Sequence, residues 1–449
     1  MKKITLLAAI SFCIFFIKLH AQVGIGTATP NATALLQVDA GTSLTNGVLI
    51  TGTSNVSATV PNLNAGSRLM FYPGKGAFRA GYVDGTQWND SLVGRFSVAM
   101  GYNTHASGFN STAMGVLTTA SGYYSTSMGS SYTASGNYST AMGDNTTASG
   151  DYSTSMGSYT KAIGDFSTAM GYSTTAYGNY STAMGSQTTA SGNGSTAMGS
   201  QTTAIGQSST AMGYSTIASG DYSTAMGNKV STNGQQGAFI IGDSDPFRQG
   251  QTTVGVPDQF VARFNQGYFF LTSGDLNRYG VSIPHYGNSW VSICDKNRKE
   301  NFEPLNGEAI LQKLSNINFT SWNYKMQDPK SYRHYGIMAQ DFNTAFGKDK
   351  YGVIGNDTTV NPIDMIGIDM AAIQALVKRT NELKDKDEAI NKKLAVVTEL
   401  KKENENLRQS MAQLQTSLDE QQKVIAQSLQ QMEALTIKQT TKEHLAIKK

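Results

Sequence analysis

The sequence predicts a mainly β protein, in which a parallel β-roll solenoid precedes a small α+β domain and a terminal α-helical coiled coil. Three observations support this fold class: a fourteen-residue repeat, a sharp change in charge content and an apolar heptad. Residues 97–236 contain only six charged side chains, whereas residues 371–449 contain 25. With 449 residues the chain is too long for one hydrophobic core, so several domains are expected.

The repeat is marked by a methionine at every fourteenth position. These residues are Met100, Met114, Met128, Met142, Met156, Met170, Met184, Met198, Met212 and Met226. A glycine follows each methionine and a second glycine lies seven residues later, so we expect both glycines to form corners with positive φ. A period of fourteen is too short for a helical repeat or a propeller blade and fits one coil of a solenoid. Within the unit Ser-Thr-Ala-Met-Gly, strand alternation places Thr and Met on one face and Ser and Ala on the other.

Composition changes divide the chain into seven predicted segments. They are a signal peptide (1–21), an N-terminal β-rich segment (22–96), the repeat β-roll (97–236), a β-rich connector or cap (237–284), a small mixed domain (285–369), a coiled coil (370–437) and a tail (438–449). The first segment has two lysines, an apolar run too short to span a membrane, and a small residue, Ala21, at its end. A secreted or cell-surface location is therefore expected.

The connector and the C-terminal segments carry recognisable strand and helix patterns. Apolar runs at 238–241, 259–262 and 267–271 are expected to form strands that close the end of the solenoid. Residues 307–317 are predicted to be an amphipathic helix. Beyond them a core position recurs every seventh residue, which is typical of a coiled-coil seam. The seam consists of Leu376, Leu383, Ile390, Val397, Asn404, Met411, Leu418, Ile425 and Met432.

Composition also argues against several function classes. The net charge of +3 includes no basic stripe, so nucleic acid is not an expected partner. The repeats lack the carboxylate pairs of glycoside hydrolases and the glycine-aspartate pattern of calcium-binding rolls, so neither a turnover enzyme nor a metal or cofactor site is expected. Removal of the signal peptide leaves Cys294 as the sole cysteine, which excludes an intramolecular disulfide.

The repeat sequence, from Ser97-Val98-Ala99-Met100-Gly101 onward, resembles the head repeats of YadA-like trimeric autotransporter adhesins. That resemblance implies a left-handed parallel β-roll, a homotrimer and a host, matrix or glycan surface as ligand. Methionine stands where that family usually has a branched aliphatic residue. How such a protein would be attached to a membrane is left open by the sequence.

The segments 294–302, 322–324 and 333–342 resemble the endosialidase-type intramolecular chaperone domain, which caps trimeric β-fibres and in many members cuts itself off. In that family a serine and a lysine five residues later form the cleavage dyad. Here these positions hold Cys294 and Lys299, and His334 is a weaker supporting candidate. The resemblance implies at most a single-turnover cut before Cys294, with a retained passive cap as the alternative.

An aromatic column precedes the repeat serine in seven coils: Phe96, Tyr124, Tyr138, Tyr152, Phe166, Tyr180 and Tyr222. It is interpreted either as a structural ladder or as an adhesive stripe. The leading functional hypothesis is a homotrimeric adhesin or fibre with a C-terminal assembly domain. The alternatives are an ice- or mineral-binding solenoid, because Thr-Thr-Ala recurs, and a tailspike-like polysaccharide-binding fibre.

Overall fold

The computed structural model describes residues 23–31, 33–39, 41–42, 47–244, 250–273 and 279–447, so the predicted signal peptide lies outside the described residues. The chain forms two compact units, residues 1–293 and 294–449. The first unit is a parallel β-solenoid, and the second has a small α+β core and a long terminal helix, as the sequence predicts. Within the described residues, no helix has the length and apolar character needed to cross a membrane.

Two parallel sheets form the solenoid, because each coil contributes one five-residue strand and one two-residue strand. The long sheet contains, among the described residues, Gly66–Tyr72, Ala77–Val83, Val98–Tyr102, Thr112–Val116, Thr126–Ser130, Thr140–Asp144, Thr154–Ser158, Thr168–Tyr172, Thr182–Ser186, Thr196–Ser200, Thr210–Tyr214, Thr224–Asn228, Phe239–Gly242 and Phe260–Arg263. The short sheet contains His105–Ala106, Thr119–Ala120, Thr133–Ala134, Thr147–Ala148, Lys161–Ala162, Thr175–Ala176, Thr189–Ala190, Thr203–Ala204, Ile217–Ala218, Val230–Ser231 and Thr252–Thr253. Gly66–Tyr72 joins the long sheet in an antiparallel pair with Ala77–Val83.

The predicted alternation of inward and outward residues is confirmed. Met142 pairs with Met156 and Thr140 with Thr154, so identical residues stack along the outer face. The inward alanines and serines have essentially no solvent exposure. Several serine hydroxyls donate to the carbonyl three residues earlier, as Ser139 Oγ does to Gly136 O at 2.6 Å. The core of the repeats is consequently built mainly from methyl and hydroxyl groups, and the repeat methionines lie outside it.

Glycine is required at both corners, but for two different reasons. After each methionine the glycine has φ between +104° and +123° over Gly101–Gly227, as expected for a corner. The second glycines have no such φ in the coils from Gly108 to Gly220, so the expectation of positive φ at both corners is wrong there. At these positions a Cβ would lie close to the next coil's backbone, for example 2.0 Å from the carbonyl oxygen of Gly122 at Gly108. Close stacking, and not an unusual φ, excludes a side chain.

At the N-terminal end of the solenoid, Arg79 occupies the place that alanine takes in the coils. It pairs with Ala99 and is fully buried. Its guanidinium donates to the carbonyl oxygens of Ser97 (3.0 Å) and Ala106 (3.0 Å), among others. Burial lowers the pKa of Arg79 to about 10. Trp88 is also buried there and donates from Nε1 to Thr104 O at 2.9 Å. These side chains cover the first coil, as terminal repeats must.

At the C-terminal end, two of the three predicted connector strands continue the long sheet, at Phe239–Gly242 and Phe260–Arg263. Arg263 donates to Asn228 O (2.9 Å) and pairs with Asp243 (3.2 Å). The third predicted run does not close the solenoid. It forms a separate antiparallel sheet of Gly267–Leu271, Gly280–Pro284 and Val291–Ser292. A further parallel pair, Val23–Ile25 with Leu36–Val38, lies near the N-terminus.

The second unit contains three α-helices among its described residues: α1 (Gly307–Ser315), α2 (Ala339–Phe346) and α3 (Pro362–Ala446). The amphipathic helix predicted at 307–317 is α1, whose Ile310 is buried against Phe342, Phe346 and the first turns of α3. A hairpin of Thr320–Trp322 and His334–Gly336 accompanies them. Glu308 of α1 forms an ion pair with Arg379 of α3. The remainder of α3 extends beyond this core.

Replacing Gly157 with alanine is expected to destabilise the solenoid strongly. The new Cβ would lie 2.1 Å from Gly171 O on a residue with φ +120°, so a loss of about 3 kcal/mol or more is expected in the free energy of unfolding. Gly194→Ala is the matched control, because its φ is +65° and the nearest atom lies at 3.5 Å, with an expected cost of about 1 kcal/mol. Denaturant unfolding of both variants measures the difference, and equal losses would contradict the close-stacking argument.

Candidate functional site

The pair of Cys294 and Lys299 is the first candidate site, and a short turn brings the two side chains together. Asp295 accepts a hydrogen bond from Asn297 N at 2.9 Å and starts a 3₁₀ turn, Lys296–Arg298. The chain then returns to an extended conformation at Lys299. As a result Lys299 Nζ donates to Cys294 Sγ at 2.9 Å. The thiol is exposed to solvent, so its accessible side is open to a reactant.

His334, the weaker candidate, lies in an aromatic cluster. It pairs across the hairpin with Trp322, and the two rings stack with centroids 4.6 Å apart. Tyr324 meets the imidazole edge-on at 5.7 Å. No hydrogen bond between described residues joins His334 to Cys294 or Lys299. The structure thus brings two of the three predicted residues together and places the third in a packing role.

The aromatic column is the second candidate site. Five of its predicted members form a continuous stack, here called the aromatic ladder: Tyr124, Tyr138, Tyr152, Phe166 and Tyr180. Neighbouring centroids lie 4.8–5.0 Å apart, with rings within 5° of parallel. Each ring covers the face of the next, so only edges and hydroxyl groups remain for a ligand. This geometry favours the structural interpretation over face-on stacking of a sugar.

Comparison with known families follows the same division of the chain. Residues 294–349 match the family described as chaperone of endosialidase. The YadA head domain repeat matches in six segments, 94–115, 106–131, 134–160, 162–188, 178–202 and 204–229. Both resemblances are confirmed. Each match relates one part of the chain to a known family, and each covers less than half of the chain. No curated protein matches the chain.

The endosialidase-type chaperone match begins at Cys294, which is also the first residue of the second compact unit. The bond predicted to be cut, between Ile293 and Cys294, therefore coincides with a structural boundary. A thiol at this position departs from the serine that the resemblance implies. The fixed spacing of five residues to the lysine is kept, and the 3₁₀ turn explains why that spacing brings the two groups into contact.

A column of Asn and Asp residues beside the aromatic ladder was not identified from the sequence. Asp151 Oδ1 accepts from the backbone N–H of Asn137 at 2.8 Å, and Asp165 Oδ1 accepts from Asp151 N at 2.9 Å. The same bond recurs from Asp165 to Asn179 and from Asn179 to Asn193. These bonds link consecutive YadA-type coils from Asn137 to Asn193. Their fourteen-residue spacing was a signal in the sequence that could have revealed them.

The aromatic ladder is expected to stabilise the YadA-type solenoid by stacking alone. Tyr152→Ala removes two stacked contacts and should lower the free energy of unfolding by about 1–2 kcal/mol. Tyr152→Phe is the matched control and should be nearly neutral, because Phe166 already serves in the stack. Thermal unfolding checks both. A Tyr152→Phe variant with normal stability but lost surface adhesion would instead favour the adhesive interpretation.

Proposed function

We propose that this protein is an exported homotrimeric fibre or adhesin of the cell surface, whose C-terminal domain aligns three chains and then cuts itself off. The observation that carries the proposal is the apolar seam of α3. The eight apolar residues of the predicted seam are each 47–69% exposed in the single chain. Burying each leucine-sized side chain contributes about 1.5–3 kcal/mol, so this helix gains much stability from partner helices.

The outer face of the solenoid also favours association with further copies of the same chain. Its Thr and Met columns remain partly exposed along the long sheet, while the core of the repeats holds mainly small groups, with Tyr132 as a large buried exception. Methionine adapts its shape to a facing surface, which suits a contact between identical rods. A trimer is the assembly that both matched families imply.

Register explains why an assembly domain is needed. A slip of one coil, fourteen residues, would preserve almost every contact between neighbouring solenoids, since the coils are nearly identical. The repeats alone therefore define register weakly. A C-terminal domain with its own sequence and a coiled coil aligns the chains at one end and raises their effective concentration.

Self-cleavage is the third part of the proposal. Lys299 takes the proton of the Cys294 thiol, and Sγ attacks the carbonyl carbon of Ile293. The C–N bond to Cys294 breaks, its nitrogen takes up the proton, and a thioester forms. Water then attacks that thioester, releasing residues 294–449 from the solenoid with a free carboxylate on Ile293. The contact of 2.9 Å between Sγ and Nζ supports this role.

The ice- or mineral-binding alternative finds little support in the threonine positions. In each Thr-Thr pair one residue is buried, as Thr146, Thr188 and Thr202 are. Only the second threonine faces outward on the short sheet, and Lys161 and Ile217 interrupt that column. The Thr-Thr pairs therefore supply one interrupted column on the short sheet, apart from the Thr column of the long sheet, and such a column is a poor flat array. Surface adhesion therefore remains the proposed role, with a host, matrix or glycan surface as ligand.

Sedimentation of the mature Cys294→Ala chain, which cannot be cut, is expected to show a trimer. Leu400 and Leu407 lie three residues after the seam positions Val397 and Asn404, on the same face of the helix, and both side chains are exposed for a partner. Leu400→Glu combined with Leu407→Glu places charges on this face and should prevent the chains from assembling. Lys402→Glu lies between them on the opposite side of the helix and is the matched control, expected to stay trimeric. A parent chain that sediments as a stable monomer would refute the proposal.

Mass spectrometry of the purified wild-type protein is expected to find a fragment that starts at Cys294. Cys294→Ala and Lys299→Ala should abolish it, because each removes one partner of the contact. Lys296→Ala, in the same 3₁₀ turn, is the matched control and should cut normally.

Full-length chain alone in the wild type would identify the domain as a retained cap. The trimer and its register function would stand in that case, since they depend on the seam and not on the dyad.

A further inference from the structure

A thiol at the proposed cleavage site changes the type of acyl intermediate that forms on the solenoid before the domain is released. A serine nucleophile would leave the solenoid as an oxygen ester, whereas Cys294 leaves it as a thioester. Thioesters react with amines much more readily than oxygen esters do, because sulfur delocalises its electrons poorly into the carbonyl. The residue that differs from the family thus changes which second substrate can complete the reaction.

We propose that this site is an acyl-transfer site, which joins the carbonyl of Ile293 to a primary amine and so attaches the solenoid covalently to an amine-bearing surface. This inference rests on the self-cleavage proposed above. It names the acyl acceptor as a primary amine in place of water.

The steps balance without any oxidant or cofactor. Attack by Sγ forms the C–S bond, and the C–N bond between Ile293 and Cys294 breaks, so that the thiol proton ends on the nitrogen of Cys294. The incoming amine then attacks the thioester carbonyl and loses one proton. The C–S bond breaks, the sulfur takes up a proton, and an amide joins Ile293 to the acceptor.

The surroundings of Cys294 fit an external acceptor. The thiol is exposed, so the thioester carbonyl would be open to solvent and to a second molecule. Lys299 Nζ at 2.9 Å from Sγ is placed to accept the proton that the attacking amine loses.

The test uses the mature chain synthesised in a cell-free system with biotinylated cadaverine, a primary amine, present throughout. The wild type is expected to give a solenoid fragment that ends at Ile293 and carries the mass of the probe. Cys294→Ser is the matched control, since it restores the nucleophile that the family resemblance implies. It should cut but incorporate the probe less, by a factor on the order of tenfold or more. Sedimentation as a trimer establishes that both proteins have assembled.

Three other outcomes are decisive. A wild type that cuts but ends only in a carboxylate, even with hydroxylamine as a stronger nucleophile, would overturn the transfer and leave self-cleavage intact. A wild type that does not cut while Cys294→Ser does would refute cleavage by the thiol and the transfer with it. Probe incorporation that survives in Cys294→Ala would assign it to another site and overturn the inference.

A second arm identifies the source of the amine. Vesicles that contain phosphatidylethanolamine replace the cadaverine probe in a parallel reaction. Solenoid fragments that gain the lipid mass would indicate a lipid acceptor, whereas capture of cadaverine alone would indicate a lysine-like amine. Either result supports acyl transfer. If the solenoid captures neither amine, the inference is contradicted.

Discussion

The structure depends on how closely one coil approaches the next at its glycine corners. A Cβ at Gly143 would lie 2.0 Å from the carbonyl oxygen of Gly157, so the coils can stack only where the side chain is a hydrogen atom. Two such corners in fourteen residues make a thin coil, whose core residues are small almost throughout, with Tyr132 as the large exception among the described repeats. Ala, Ser and Thr therefore fill most of the interior, and some of the serine hydroxyl groups bond locally, as Ser139 does. Most of the larger side chains of the repeats are consequently placed on the outside.

The outward placement of apolar groups links local geometry to assembly. Met and aromatic side chains form columns because parallel, in-register pairing puts each residue on its counterpart one coil away. In the aromatic ladder, neighbouring rings cover one another's faces by stacking. Its residues also have a left-handed φ near 58°, which costs about 1 kcal/mol in a bulky residue. Gly194 and Ser208 adopt the same backbone conformation at this position, so the coil imposes it whatever the side chain. Among the described residues the methionine column has no comparable cover, and the proposed trimer would supply it from further copies of the chain.

Sequence periodicity predicted most of this fold, because a fixed period repeats both the inward set and the turn glycines. The prediction from periodicity failed at positions where the residue type depends on the place of the coil along the solenoid. Arg79 takes an alanine position only because it lies in the first coil, and no period reveals which coil is terminal. The sequence suggests a positive φ at the second glycine of each coil, because it shows the size of a residue but not the distance from that residue to the next coil. The Cys294–Lys299 spacing was available from the family resemblance, yet the contact itself needs the 3₁₀ turn that Asp295 begins.

The same uniformity that makes the solenoid easy to stack makes it unable to specify its own alignment, so the information for assembly has to lie in a different part of the chain. In the proposed trimer that information is needed only until three rods are paired, because the paired rods would then hold one another by contacts spread over every coil. A domain with a temporary task can be removed without cost to the product, provided that the cut leaves the solenoid sheets whole. The Ile293–Cys294 bond meets this condition, since every strand of the two solenoid sheets precedes it. The proposed nucleophile, Cys294, is the first residue of the second unit, which is where a removable alignment domain requires the cut.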